Sequence, residues 1–271
     1  MKFRSIRIAV LCAVGATAQA QGASSVSPAA PPVRDNSFLV EEAYNQEARV
    51  VQHISVFSLA RGSNDWEYAF TQEWPAGGQR HQLSVTVPII NASDATGVGD
   101  IALNYRYQLA FDDATGHALA PRLSLILPTG DADLGRGTSS MGVQVNLPAS
   151  LGLHRTLVTH WNVGGTWRPS ARALAGGRAA TRDVTAGASA IWMPKRALNL
   201  MLEFAWAREE DAVGADARVA AEAAWLSPGL RVAIDFPSGL QIVPGVAFPI
   251  GVGPSDGDER LLFYLSFEHG F

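Results

Sequence analysis

From Val50 onward, apolar side chains recur at every second position, a period that fits strands and rules out amphipathic helices. Val98–Phe111 is the clearest run: Ile101, Leu103, Tyr105, Tyr107 and Leu109 alternate with Asp100, Ala102, Asn104, Arg106 and Gln108. Asn64–Trp74 places Trp66, Tyr68, Phe70 and Trp74 on one face. Arg80–Ile90 opposes Leu83, Val85, Val87 and Ile89 to Arg80, Gln82, Ser84 and Thr86. Further strands are expected over Ala118–Pro128, Met141–Ser150, Thr156–Arg168, Asp183–Met193 and Leu198–Arg208. The last twelve residues carry Leu261, Phe263, Leu265, Phe267, His269 and Phe271 on one face, and Leu262, Tyr264, Ser266, Glu268 and Gly270 on the other.

Each run is about 9–14 residues long, the length a tilted strand needs to cross a hydrocarbon layer. The connections alternate in length. Asn91–Gly97, Thr129–Ser140, Pro169–Arg182, Glu209–Ala217 and Gly251–Glu259 are long; Pro75–Gln79, Asp112–Gly116, Leu151–Arg155 and Pro194–Ala197 are short. That pattern belongs to up-and-down membrane barrels. It is kept through the C-terminal third if Arg218–Phe236 is one strand with a bulge at Pro228-Gly229. The bulge would shift the lipid-side series from Val219, Ala221, Ala223, Trp225 to Leu230, Val232, Ile234, Phe236. The strand count is then twelve. All seven tryptophans fall in predicted strands, most near an end, where interfacial girdles sit. The fold expected is an all-β, antiparallel transmembrane β-barrel over residues 50–271.

The N-terminus supports the same compartment. Lys2, Arg4 and Arg7 precede an apolar run and an Ala18-Gln19-Ala20 site, so residues 1–20 read as a signal peptide for the general secretory pathway. Cys12, the sole cysteine, lies inside that leader, so the mature chain would have neither disulfides nor thiol chemistry. The whole chain has 21 Lys+Arg against 25 Asp+Glu; without the leader's three basic residues the balance is 18 against 25, a net charge of −7. Such a field repels phosphates and argues against nucleic acid as a partner. Residues 21–49 form a periplasmic linker or plug-like segment. Gly22–Ser37 is too rich in Pro, Ala and Ser to fold alone. Phe38–Ala48 reads preferentially as a short solvated periplasmic helix, with a segment tucked into the barrel mouth as the alternative.

The terminal strand resembles the closing strand of Gram-negative outer-membrane barrels. The resemblance implies that Phe263, Leu265, Phe267 and Phe271 act as the signal for the barrel-assembly machinery, with outer-membrane lipid and lipopolysaccharide as surroundings. Three further stretches, Gly97–Tyr105 (GVGDIALNY), Leu125–Asp131 (LILPTGD) and Val163–Trp167 (VGGTW), resemble the family of outer-membrane transporters named for the meta-pathway of phenol degradation. Phe38–Ser55 and Phe70–Pro75 are similar to one subgroup of it. The resemblance implies a barrel and transport, without fixing the solute.

The polar faces would line the lumen. They carry Arg80, Arg106, Arg122, Arg218 and Arg231 with Asn104, against Glu67, Glu73, Asp100, Glu203, Glu222, Asp235 and Glu268. A polar pore is favoured over an internal salt-bridge network, because twelve strands enclose more space than the smallest, filled barrels. No cofactor is expected and no enzyme, since gradients would drive flux of small solutes, hydrophobic or aromatic ones among them. A structural or adhesin-like barrel without a pore is the alternative. One pair speaks for catalysis: His53 and Ser55, at i and i+2 on one strand face, resemble the His-x-Ser of outer-membrane phospholipases, with Asn64 as a poor third member. The loop acids Asp131, Asp133, Asp256, Asp258 and Glu259 could meet divalent cations, though their Gly-rich context reads as solvated loop.

Overall fold

The computed structural model describes residues 37–92 and 95–271; the leader and most of the linker expected from the sequence lie outside them. Twelve antiparallel strands make one sheet. They are β1 (Val50–Ala60), β2 (Trp66–Pro75), β3 (His81–Ala92), β4 (Ala95–Val98, Ile101–Tyr107 and Ala110–Asp112), β5 (His117–Leu119 and Arg122–Leu127) and β6 (Gly142–His154). The second half has β7 (Leu157–Arg172), β8 (Arg178–Lys195), β9 (Leu198–Gly214), β10 (Ala217–Val232 and Ile234–Asp235), β11 (Gln241–Ala247 and Ile250–Gly251) and β12 (Arg260–Gly270). Each strand pairs with its sequence neighbours, and β1 pairs with β12 from Val50↔Gly270 to Ala60↔Arg260. The sheet is therefore closed, and closure removes the edges that an open sheet would expose.

The two rims differ as the loop lengths require. One rim holds the tight turns, such as those at 155–156 and 196–197, together with the start of β1 and the end of β12. The other holds the long connections, including 128–141 and 252–259. Two connections expected to be long are not: Pro169–Arg182 and Glu209–Ala217 are mostly strand, so β7–β10 run 16 to 18 residues each and stand above the long-loop rim. Continuous ladder pairing satisfies that backbone better than an irregular loop would.

The bulge is also elsewhere. The β9–β10 register passes unbroken through Leu202↔Pro228 and Met201↔Gly229, and β11 keeps step on the other side. With no slip, Ala223 and Trp225 turn inward, each at most 1% exposed, while Leu226, Leu230 and Val232 face out. A one-residue slip lies instead in β4: Ile89 pairs with Val98 but Thr86 pairs with Ala102, so Gly99, Asp100 and Ile101 stand opposite Val87 and Pro88.

The outer face carries the apolar belt. Leu103, Val145, Trp161, Leu202 and Phe263 are 45–54% exposed, an arrangement stable only where the surroundings are themselves apolar. Trp167 and Trp192 lie on this face; Trp225 alone of these is interior. Phe263 and Phe271 also face out, at 48% and 72% exposure, with Leu265 and Phe267 half-buried between them.

Candidate functional site: a lumen occupied by its own chain

No helix forms over Phe38–Ala48. The segment is extended and lies inside the barrel: Phe38, Val40, Glu41, Glu42, Ala43, Tyr44, Asn45 and Gln46 are all buried. The favoured reading of a solvated helix is therefore overturned. Its acids and amides have protein partners inside the lumen that water would otherwise have supplied. Arg49 makes the reversal possible. It takes a left-handed φ of 67°, and its carbonyl accepts from Phe271 N, so the chain turns from β1 back into the lumen at the short-turn rim.

The segment crosses from one wall to the other through a sequence of locks. Gln46 N–H donates to Gln82 Oε1 (2.6 Å), and its amide donates to Gln52. Gln108 both accepts from and donates to the segment: Asn45 N–H reaches Gln108 Oε1 at 2.9 Å, and Gln108 Nε2 reaches Ala43 O at 2.7 Å. Tyr44 Oη donates to Gly116 O in a short turn (2.6 Å), and its ring meets His160 edge-on. Ala43 N–H donates to Ser150 Oγ, which is also hydrogen-bonded to His160 Nδ1 (2.7 Å).

Glu41 is the centre. Its carboxylate, fully buried, accepts from Arg122 Nε at 3.0–3.1 Å, from Arg106 Nη1 at 3.5 Å and from Asn146 Nδ2. Arg122 also donates to Asn104 Oδ1 (2.9 Å), and Arg106 donates through Nε to Asn45 Oδ1 (2.8 Å). Such charge-assisted contacts are stronger than neutral ones, and the network around them offsets the cost of burying the ions. Further along, Glu203 accepts three consecutive backbone N–H groups, from Phe38 (3.1 Å), Leu39 (2.9 Å) and Val40 (3.1 Å).

Phe38 ends the crossing in an apolar socket. It stacks edge-on with Tyr264 (5.6 Å between centroids) and belongs to a cluster with Val243, Ala247 and Leu262. The socket exists because β10 and β11 present glycines: a Cβ on Gly229 would sit 2.6 Å from Phe38 Cε2, and one on Gly245 would sit 2.8 Å from Cε1. Gly229→Ala is accordingly expected to push Phe38 out of the socket, weakening docking by about 1–3 kcal/mol. Faster maleimide labelling of a Ser37→Cys reporter would register it.

Several residues expected to line the lumen are placed inside it: Asn104, Arg106, Arg122, Glu203, Arg231 and Glu268 are 8% exposed or less. Asp100 is at the bulge, where its carboxylate accepts from Gly130 N and Thr138 N and ties down the 128–141 loop. Asp235 is exposed at the short-turn rim and accepts from Gln241 Nε2. Three expectations are corrected. Arg80 is exposed in the turn before β3. Arg218 and Glu222 lie on the outer parity of β10, above the belt, because the missing bulge leaves them there; Arg218 pairs with Glu210 at 3.3 Å. The plug partners Gln82, Gln108, Asn146, Ser150 and Asn162 did not stand out as site residues. Their inward parity in polar strand faces was the available signal.

His53 and Ser55 point outward and do not bond each other. Ser55 Oγ is 3.0 Å from Tyr68 Oη, and His53 Nε2 is 3.3 Å from His269 Nε2. The loop acids pair with arginines instead of converging: Asp131 with Arg136, Asp133 with Arg172, Asp258 with Arg260 and Glu259 with Arg61.

Below the belt, Glu47 sits half-buried at the foot of the segment. Burial raises its pKa above the usual carboxylate value, and the Asp113 carboxylate raises it further. A raised acid favours the docked state when protonated; that contribution is complete below the ordinary value of 4.5 and is lost as pH climbs through the raised one. Opening is thus expected to become more frequent from pH 4.5 upward, and Glu47→Gln should flatten the dependence in single-channel recordings.

These features define a closed twelve-stranded antiparallel barrel of the outer-membrane type with an internal segment of its own chain. Solved structures share the fold, among them a porin and an outer membrane channel. The NanC porin superposes with a TM-score of 0.55 at 10% identity, covering 81% of this chain and 100% of that one. The COG4313 outer membrane channel from Pseudomonas putida F1 gives 0.57 at 13% identity, covering 82% of this chain and 94% of that one. No protein-family model matches the sequence, and no curated protein does. The likeness to the meta-pathway transporters therefore remains one of short motifs.

Proposed function

We propose that this chain is an outer-membrane channel for small solutes, hydrophobic or aromatic ones among them, closed at rest by its own 37–48 segment. The short-turn rim is then periplasmic and the long-loop rim extracellular, as in other barrels. In this reading the chain is exported by the secretory pathway of a Gram-negative cell and inserted by the barrel-assembly machinery. Its solute moves down a gradient, so no cofactor or catalytic step is involved.

One observation carries the reading. The lumen is crossed by a single length of chain, held mostly by side chain to backbone hydrogen bonds. A wall-filled barrel could open only by unfolding. A docked segment can leave while the wall stays intact.

Ser37 and Ser189 supply the test, since their hydroxyls are 2.6 Å apart. A Ser37→Cys, Ser189→Cys variant, refolded in a planar bilayer, should be silent when oxidised and conduct after reduction. Conductance that is indifferent to the disulfide would sink the gating segment. A silent bilayer in both states, from protein shown folded by heat-modifiable mobility, would favour a structural barrel.

A further inference from the structure

Two histidines meet on the outside of the barrel, where its first and last strands close the sheet. His53 on β1 pairs in register with Phe267, and His269 on β12 pairs with Val51, so the two are diagonal neighbours across the ladder near the short-turn rim. Their rings lead with the same atom: the Nε2 nitrogens are 3.3 Å apart, while the ring centroids are 5.4 Å apart. His269 is exposed and His53 is half-buried, so the nitrogens can be reached from outside the sheet.

The neighbours of the pair constrain its protons. His269 Nδ1 lies 3.1 Å from Gly270 O, and a carbonyl only accepts, so Nδ1 carries the hydrogen. In the neutral ring Nε2 is then a bare lone pair aimed at His53. An Nδ1–H held by a backbone carbonyl is also the arrangement that orients a metal-binding imidazole. The His53 ring lies against Phe70, 22° from parallel with centroids 6.2 Å apart, which limits its rotation. Distance is an independent observation. A direct hydrogen bond would be long at 3.3 Å, beyond the usual range of about 2.7–3.2 Å for an N–H donor. Two imidazole nitrogens, each about 2.0–2.1 Å from one tetrahedral metal ion, stand roughly 3.3–3.4 Å apart. No third His, Cys, Asp or Glu joins them among the described residues, so water would fill the remaining positions.

We propose that His53 and His269 form a binding site for a divalent transition-metal ion, which clamps β1 to β12 at the seam of the barrel. Imidazole nitrogen suits zinc, copper or nickel, whereas magnesium and calcium take oxygen ligands. The site lies outside the lumen and stands whether or not the barrel conducts. The refolded full chain in detergent micelles is titrated calorimetrically with Zn²⁺ and with Mg²⁺, above the ordinary imidazole pKa of about 6.5. One equivalent of Zn²⁺ should bind saturably, and Mg²⁺ should not. His53→Gln and His269→Gln, each shown folded by heat-modifiable mobility, should weaken Zn²⁺ by about tenfold or more, because one imidazole is left. His154→Gln, in the turn between β6 and β7, serves as the control that binds normally. The two ligands come from strands that separate on unfolding. Saturating Zn²⁺ should therefore raise the temperature at which the gel mobility changes, in the wild type and in neither seam variant. No saturable Zn²⁺ binding by folded protein, or binding that survives either single substitution at full strength, would overturn the site. Binding without a higher transition temperature would overturn the clamp.

Discussion

Removing residues 37–48 should turn a closed barrel into an open one. The shortened chain is expected to fold, because the ladder that closes β1 on β12 involves none of the deleted residues. Single-channel recordings should then show steady open steps where the full chain is closed for most of the record. The size of the effect follows from the locks. Net hydrogen bonds are worth about 1 kcal/mol each, and charge-assisted ones about 1.5–3. The Glu203 and Glu41 contacts together exceed the roughly 2.7 kcal/mol that holds a two-state element near 99:1. Deletion should raise the open fraction on the order of 100-fold. A deleted protein that is folded yet silent would show that wall residues close the lumen and that the segment is only a passenger.

The second large effect is expected at Glu41. Glu41→Ala strips the counterion from Arg122 and Arg106, which are 8% and 2% exposed and cannot reach solvent without disrupting the lumen. Breaking a buried ion pair from one side costs about 3–5 kcal/mol, because the surviving charge is left uncompensated. The cost falls on the docked state, since the undocked segment leaves Arg122 room to hydrate. Labelling of a Ser37→Cys reporter by maleimide should accelerate by about 100-fold or more. Replacing both members, Glu41→Leu with Arg122→Met, should cost less than Glu41→Ala. If Glu41→Ala labels at the wild-type rate, the ion pair does not hold the segment.

Much of this site was legible as a list and illegible as an arrangement. Asn104, Arg106, Arg122 and Glu203 are readable as inward residues because each alternates with exposed apolar neighbours, such as Leu103 and Tyr105 around Asn104. That they converge on one segment is a different matter. Arg122 and Glu41 are separated by 81 positions, and Glu203 lies 165 beyond Phe38. The acids of FLVEEAYNQEA read as solvent-seeking for the reason that charged side chains almost always are. Only partners contributed by strands distant in the chain make their burial tolerable. The bulge was misplaced on similar grounds. Pro228-Gly229 has the composition of a bulge, but its neighbours on β9 and β11 hold the register through it, and Gly99-Asp100 slips instead.

What the sequence by itself determined is the wall. Period-two alternation, runs of membrane-spanning length and the order of long and short connections specify twelve antiparallel strands, because each strand's faces are set by its own residues. The contents of the lumen were decided only by the tertiary structure. Closing the barrel brings Gln108, Asn146, Asn162 and Glu203 around a common axis, and a segment whose own backbone groups need partners finds them there. Local pattern fixes which way a side chain points. What it meets depends on every other strand in the ring.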